Sequence, residues 1–127
     1  MADDLLNLLT LQVEFIGQHA LALQSQTTTI KSQIANLEQL KQAGFPIEPL
    51  AEQLNYDLTE IKNSAQSLQN TNTTIKEQLG DLSNDGQMDM IKYQSAIYKT
   101  DQNTGTASEI MSTLDYQMEV INQQLAS

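Results

Sequence analysis

Residues 30–61 read IKSQIANLEQLKQAGFPIEPLAEQLNYDLTEI, and this stretch decides the fold. On both sides of Gly44, apolar side chains recur at alternating steps of three and four residues, which places them along one stripe of a helix. When the chain folds back at Gly44, the two stripes meet in order, in the pairs Leu37 with Ala51, Ile34 with Leu54, and Ile30 with Leu58. The stretch therefore predicts a long antiparallel helical hairpin.

The same spacing extends both helices far beyond the turn. The stripe of the first helix consists of Leu6, Leu9, Val13, Ile16, Ala20, Leu23, Thr27, Ile30, Ile34 and Leu37. That of the second consists of Ala51, Leu54, Leu58, Ile61, Ala65, Leu68, Asn72, Ile75, Leu79 and Leu82. We predict a first helix over residues 4–43, capped by Asp3 or Asp4, and a second over residues 49–82, with Pro49 in its first turn.

A third helix is predicted over residues 87–126, after the turn sequence Ser83-Asn84-Asp85-Gly86. Its stripe reads Met90, Tyr93, Ile97, Thr100, Thr104, Ala107, Met111, Leu114, Met118, Ile121 and Leu125. The middle offers little apolar surface, and Thr106 and Glu109 have capping-box spacing, so a break near residues 103–106 and a continuous helix are both open. The expected fold is a single all-α domain over residues 1–127, an elongated antiparallel three-helix bundle resembling a coiled coil.

The composition narrows the classes of function. The 127 residues carry a formal net charge of −10 and contain no cysteine, no arginine and 17 glutamines. A chain this acidic is not expected to bind nucleic acid or an anionic membrane. No apolar run is long enough to span a bilayer. Acidic residues precede the N-terminal apolar run, so we do not expect a cleaved signal peptide here.

Catalysis and metal binding find few suitable residues. His19 is the only histidine, and it has no nucleophile-elbow context and no glutamate three residues before it. Asp81, Asp85 and Asp89 flank the second turn, but they lack the alternation and the closing glutamate of a calcium loop. We therefore expect a protein that is not an enzyme and that uses no metal, cofactor or small-molecule substrate.

Two polar residues, Thr27 and Asn72, occupy stripe positions. A buried polar residue in such a stripe often specifies register and partner number at a cost in stability. The alternative is a hydrated stripe near the surface. Under the first interpretation, Asn72→Leu would raise the melting temperature and broaden the oligomeric state.

Partner contacts are expected at two places. Phe45 and Ile47 lie on the proline-stiffened turn, although Ile47 can instead pack inside the hairpin. On the third helix, Met111, Leu114 and Met118 form a methionine-rich stripe suited to protein contacts. The first helix also has a second apolar stripe, which the third helix or a neighbouring subunit could cover: Leu5, Leu8, Leu11, Phe15 and Ala22.

The glutamine-rich helix, short Phe-Pro turn and Gln/Asn-rich helix between Ile34 and Leu82 resemble the helical hairpin of the minor pilin proteins of bacterial type IV secretion systems. That family forms elongated helical bundles at the tip or stalk of conjugative pili. Its members normally carry a signal peptide and a small appendage between the helices, and neither is expected from the residues of this sequence. The chain also resembles type III filament or translocon subunits, because it has polar helices and no cysteine. Neither resemblance assigns a functional residue.

The expected function is that of a structural and interaction subunit of a larger bacterial or phage assembly, such as an exported secretion or pilus appendage. Self-association or assembly with other subunits is expected, and an extracellular or cell-surface location is favoured over the cytoplasm. The alternative is an acidic inhibitor or adaptor that occupies a basic groove of a partner. Steep salt dependence of binding would distinguish the inhibitor from the structural subunit.

Overall fold

The computed structural model describes residues 2–126, which form three α-helices and contain no strand. The helices are α1 (Ala2–Gln42), α2 (Glu48–Leu82) and α3 (Met90–Ala126). They pack against one another in all three pairings. The predicted all-α three-helix bundle is confirmed. At a rise of 1.5 Å per residue, α1 alone is about 60 Å long.

The reversal after α1 depends on Gly44, whose φ of +89° lies in the left-handed region. The Gly44 N–H donates to the Lys41 carbonyl and the Phe45 N–H to the Leu40 carbonyl, both at 3.0 Å. This pair of bonds is the Schellman ending that satisfies the last free carbonyls of a helix. Because the left-handed conformation costs a side-chain-bearing residue energy, glycine is the residue that suits this position.

Cross-helix hydrogen bonds show how the helices run. Between α2 and α3 they recur every seven residues, as Lys62–Asp115 (2.7 Å), Gln69–Ser108 (3.2 Å) and Lys76–Asp101 (2.6 Å). Between α1 and α3 they join Asn7 to Lys92 and Glu14 to Lys99. Thus α2 is antiparallel to both other helices, and α3 lies parallel to α1 and folds onto its own hairpin.

The core of α1 and α2 follows the predicted stripes. All ten stripe residues of α1 are buried, and so are those of α2 up to Leu79. The register also agrees, since one groove between the helices is lined by Ile30 and Asp57, the residue before its predicted partner Leu58, and another by Ile16 and Thr71, the residue before Asn72.

The predicted stripe of α3 is only half right. Every second predicted position from Thr100 onward is buried, namely Thr100, Ala107, Leu114 and Ile121, whereas the predicted positions between them are only half-buried. The others are displaced by one residue, because the core takes Ala96, Asn103, Ile110 and Gln117 in place of Ile97, Thr104, Met111 and Met118. Both sets have three-four spacing. The prediction followed the set with more apolar residues. The packed bundle instead buries the other set, which includes Asn103 and Gln117.

Helix α3 is continuous through residues 103–106, so the alternative with a break is not adopted. Thr100 and Asn103 are buried there and contact the other two helices, which compensates for the scarce apolar surface. The start of α3 is also later than predicted. Asp89 precedes it, and its carboxylate accepts the Ile91 and Lys92 N–H groups at 3.1 Å. Asp3 lies within the first turn of α1 and accepts the Asp89 N–H at 3.2 Å.

Candidate functional site

Three large apolar side chains that are at least half exposed lie close together on the first half of α1. Leu8, Leu11 and Phe15 are 52%, 64% and 71% exposed, and Leu5 beside them is 42% exposed. Their steps of three and four residues repeat the spacing of the core stripe, but on the side of α1 that faces solvent. We name Leu8, Leu11 and Phe15 the outer stripe. Its spacing is the one that a further helix requires for packing.

Helix α3 does not cover the outer stripe, so of the two alternatives, the third helix or a neighbouring subunit, the first is not adopted. It packs instead against the flank of α1 that carries Asn7 and Glu14, where Lys99 binds Glu14 at 3.3 Å. On its other side, the outer stripe borders α2. A shallow groove of about 540 Å³ lies there, between Leu11 and Phe15 on α1 and the neutral side chains Thr71, Thr74 and Gln78 on α2.

A buried polar layer joins the three helices near the level of the outer stripe. Asn72 is fully buried, and its Nδ2 donates to the Thr100 carbonyl (2.8 Å) and to Thr104 Oγ1 (2.9 Å). Asn103 Nδ2 donates to the Val13 carbonyl (3.1 Å) and to Asn72 Oδ1 (3.4 Å). The layer therefore satisfies the buried amides, as burial of polar groups requires.

The other polar stripe residue behaves differently. Thr27 is buried, but its hydroxyl donates to the Leu23 carbonyl of its own helix at 2.8 Å. A bond within one helix carries no information about the position of the others. Of the two candidates for specifying register, only Asn72 bonds across helices.

Gly17 lets α3 approach α1 closely at this layer. A Cβ atom at position 17 would lie 3.3 Å from Asn103 Oδ1, tighter than ordinary contact. Gly17 and Asn103 also line a groove of about 660 Å³ between α1 and α3. The glycine therefore has a role in the packing of α3 against α1.

The five predicted partner-binding residues differ widely in their exposure to solvent. Phe45 is 60% exposed on the turn, whereas Ile47 is buried at the start of α2, as the self-packing alternative expected. Leu114 is completely buried in the core, and Met111 and Met118 are half-buried against it. Of the five predicted residues, only Phe45 exposes most of its side chain to solvent. Partner binding by Phe45 stays a prediction.

The residues considered for catalysis or metal binding lie on α1 and at the second turn. His19 lies in a groove with Glu60, Ser64 and Ser67, and no hydrogen bond joins its ring to any described residue. Asp85 and Asp89 accept backbone N–H groups at the second turn. Among residues 2–126, no group of three or more potential ligands is close enough together to hold a metal ion.

No helix in the described part of the chain is both long and apolar enough to cross a membrane. Comparisons with protein families, with curated proteins and with solved structures found no match to this chain. Any function assigned to the chain therefore rests on its own residues.

Sequence reasoning missed Asn103, although a signal for it existed. Asn103 lies three residues after Thr100 and four before Ala107, so it belongs to a second three-four frame of α3 that shares both residues. The exposed Leu21, beside the groove between α1 and α3, was also missed. It falls outside both apolar stripes of α1, so spacing did not indicate it.

Proposed function

We propose that this protein is a non-enzymatic structural subunit that assembles with helical protein partners through the outer stripe of α1. The observation that carries the proposal is the exposure of Leu8, Leu11 and Phe15 at three-four spacing on a helix that is already part of a bundle. Exposed apolar patches on otherwise polar surfaces mark sites of protein interaction. A larger bacterial or phage assembly, of the secretion or pilus appendage class, is the proposed setting.

The shape of the chain supports this proposal. A three-helix rod has a thin core and a long lateral surface, so side-by-side contacts add buried apolar area where the monomer has little. The second half of α1 provides a contrast, because its outward positions carry Ser25, Thr29, Ser32 and Gln39. Only the first half of α1 carries large apolar side chains on its solvent-facing side, which favours one localised contact over non-specific association along the whole helix.

The native size of the protein in extracts of its own cells tests the proposal. We expect the wild-type chain to elute well above its monomer mass of 14.1 kDa, and a Leu11→Lys/Phe15→Lys variant to elute as a monomer. Tyr98→Lys/Tyr116→Lys is the matched control, since these two side chains are 64% and 62% exposed on α3.

Two outcomes would contradict the proposal. A wild-type chain that elutes as a monomer under all conditions has no assembly to join. A complex that dissociates steeply with salt and is indifferent to the outer-stripe substitutions would favour the acidic inhibitor, because charge contacts are screened and apolar contacts are not.

A further inference from the structure

We infer that the partner of the outer stripe is a second copy of this chain, packed antiparallel along α1 about a two-fold axis between Leu11 and Gln12. This inference rests on the proposed function and narrows it. It specifies the occupant, the direction of packing and the residues at the centre. Each of these has its own basis in the described surface.

The distribution of charge leaves this surface open to a second copy of the chain. The chain carries a net charge of −10, so two copies repel each other over most of their surfaces. Between Leu5 and Ile30, however, Glu14 is the one side chain with a full charge at neutral pH, and Lys99 binds it on the flank facing α3. The groove beside the outer stripe adds only neutral side chains from α2. The outer stripe is thus where a like-charged copy can approach.

Spacing identifies the centre of the pair. A two-fold axis between residues 11 and 12 places Leu8 of one copy opposite Phe15 of the other, and brings the two Leu11 side chains together. The same surface then serves both copies, as an isologous contact requires. Because Leu8, Leu11 and Phe15 keep three-four spacing, each can pack between side chains of the opposing helix.

The charges at the ends of the bundle favour antiparallel over parallel packing of the two copies. Asp3 and Asp4 open α1, and the hydrogen bond from the Asp89 N–H to Asp3 brings the start of α3 to the same end. Parallel packing would bring these acidic ends and the positive ends of two helix dipoles together. Antiparallel packing separates them. It also overlaps only residues 2–21 of each α1, about 30 Å, so the pair forms a staggered rod about 90 Å long.

The first measurement is the mass of the purified full-length chain by sedimentation equilibrium from 10 µM to about 1 mM. The range is wide because three large side chains per copy make a small contact compared with the roughly 1,200–2,000 Å² of stable complexes. We expect a mass that rises towards twice 14.1 kDa, and no rise for Leu11→Lys/Phe15→Lys. The Tyr98→Lys/Tyr116→Lys control should dimerise like wild type.

The second measurement is the distance between spin labels on single cysteines, which the cysteine-free chain makes simple. Labels at Gln12→Cys should lie close together. Labels at Ser32→Cys, on the exposed polar half of α1, should lie about 60 Å apart in the antiparallel pair. Parallel packing would bring them side by side.

Several results would overturn the inference. A monomer at about 1 mM excludes a second copy, and a short Ser32 distance excludes antiparallel packing. A dimer that persists in the lysine variant, whose unchanged far-UV circular dichroism shows it to be folded, places the contact elsewhere. A purified monomer that is nevertheless part of a large complex in cell extracts refutes self-pairing alone and leaves the proposed function intact.

Discussion

At the scale of single residues, buried polar side chains carry most of the specificity of this bundle. Asn72 and Asn103 meet across α2 and α3, and Asn103 also reaches the Val13 carbonyl of α1. A helix that slipped by one residue would leave these amides buried without partners, at a cost of about 1–3 kcal/mol for each group. The layer therefore penalises wrong registers that the apolar stripes alone would tolerate.

The involvement of Asn103 changes the expected result of replacing Asn72. We now expect Asn72→Leu alone to lower the free energy of unfolding by about 1–3 kcal/mol, because Asn103 and Thr104 lose a buried partner. The double variant Asn72→Leu/Asn103→Leu should recover that loss and populate more than one oligomeric state, because apolar pairs do not specify register. Urea denaturation and sedimentation equilibrium measure the two effects.

Thr27→Val is the control for this prediction, since Thr27 is also buried but its hydroxyl bonds only within α1. It should change the free energy of unfolding by less than the single Asn72 substitution. A higher melting temperature for Asn72→Leu alone would instead support the expectation drawn from the sequence, in which the polar residue only costs stability.

At the scale of elements, α3 is held by contacts along both of its flanks. Lys62 and Lys76 reach it from α2, and its own Lys92 and Lys99 reach α1. These pairs are largely exposed, and such pairs contribute at most about 1 kcal/mol each. Their regular spacing supports the register, while the buried side chains supply most of the stability.

Two glycines on facing helices provide a test of the contact between α1 and α3. Gly105→Ala should raise the free energy of unfolding by about 0.5–1 kcal/mol, because alanine favours the helix and no atom from outside the adjoining helix backbone lies within 4 Å of its new Cβ. Gly17→Ala should raise the free energy of unfolding by less than this, or lower it, because the new Cβ would lie only 3.3 Å from Asn103 Oδ1. Urea denaturation of both variants gives the comparison.

Equal stabilisation by the two alanines would show that α3 does not approach α1 as closely as the structure indicates. A loss of stability for Gly105→Ala would point to a conformation in which residues 103–106 leave the helix. The pair thus also tests the continuity of α3.

At the scale of the whole molecule, the three helices share one core. The buried side chains of α1, α2 and α3 form a single cluster from Leu6 to Ile121. We therefore expect one cooperative unfolding transition, because no helix has a core of its own. Tyrosine fluorescence, in a chain without tryptophan, and circular dichroism at 222 nm should report the same midpoint.

An earlier transition in tyrosine fluorescence would contradict this expectation. Three of the four tyrosines, at positions 93, 98 and 116, lie on α3, so such a transition would mean that α3 leaves the bundle while the hairpin persists. Measuring at low protein concentration keeps self-association from adding a second step.

The sequence by itself determined the three helices, the reversal at Gly44 and the core of α1 and α2, because periodicity and turn residues are local properties of the chain. The core of α3 was decided only by the tertiary structure. Two three-four frames were available there, sharing every second position from Thr100 to Ile121, and the choice depended on whether Asn103 could find partners in α1 and α2. The exposure of Leu8, Leu11 and Phe15 was decided in the same way, because the flank of α1 on which α3 packs is a property of the whole bundle.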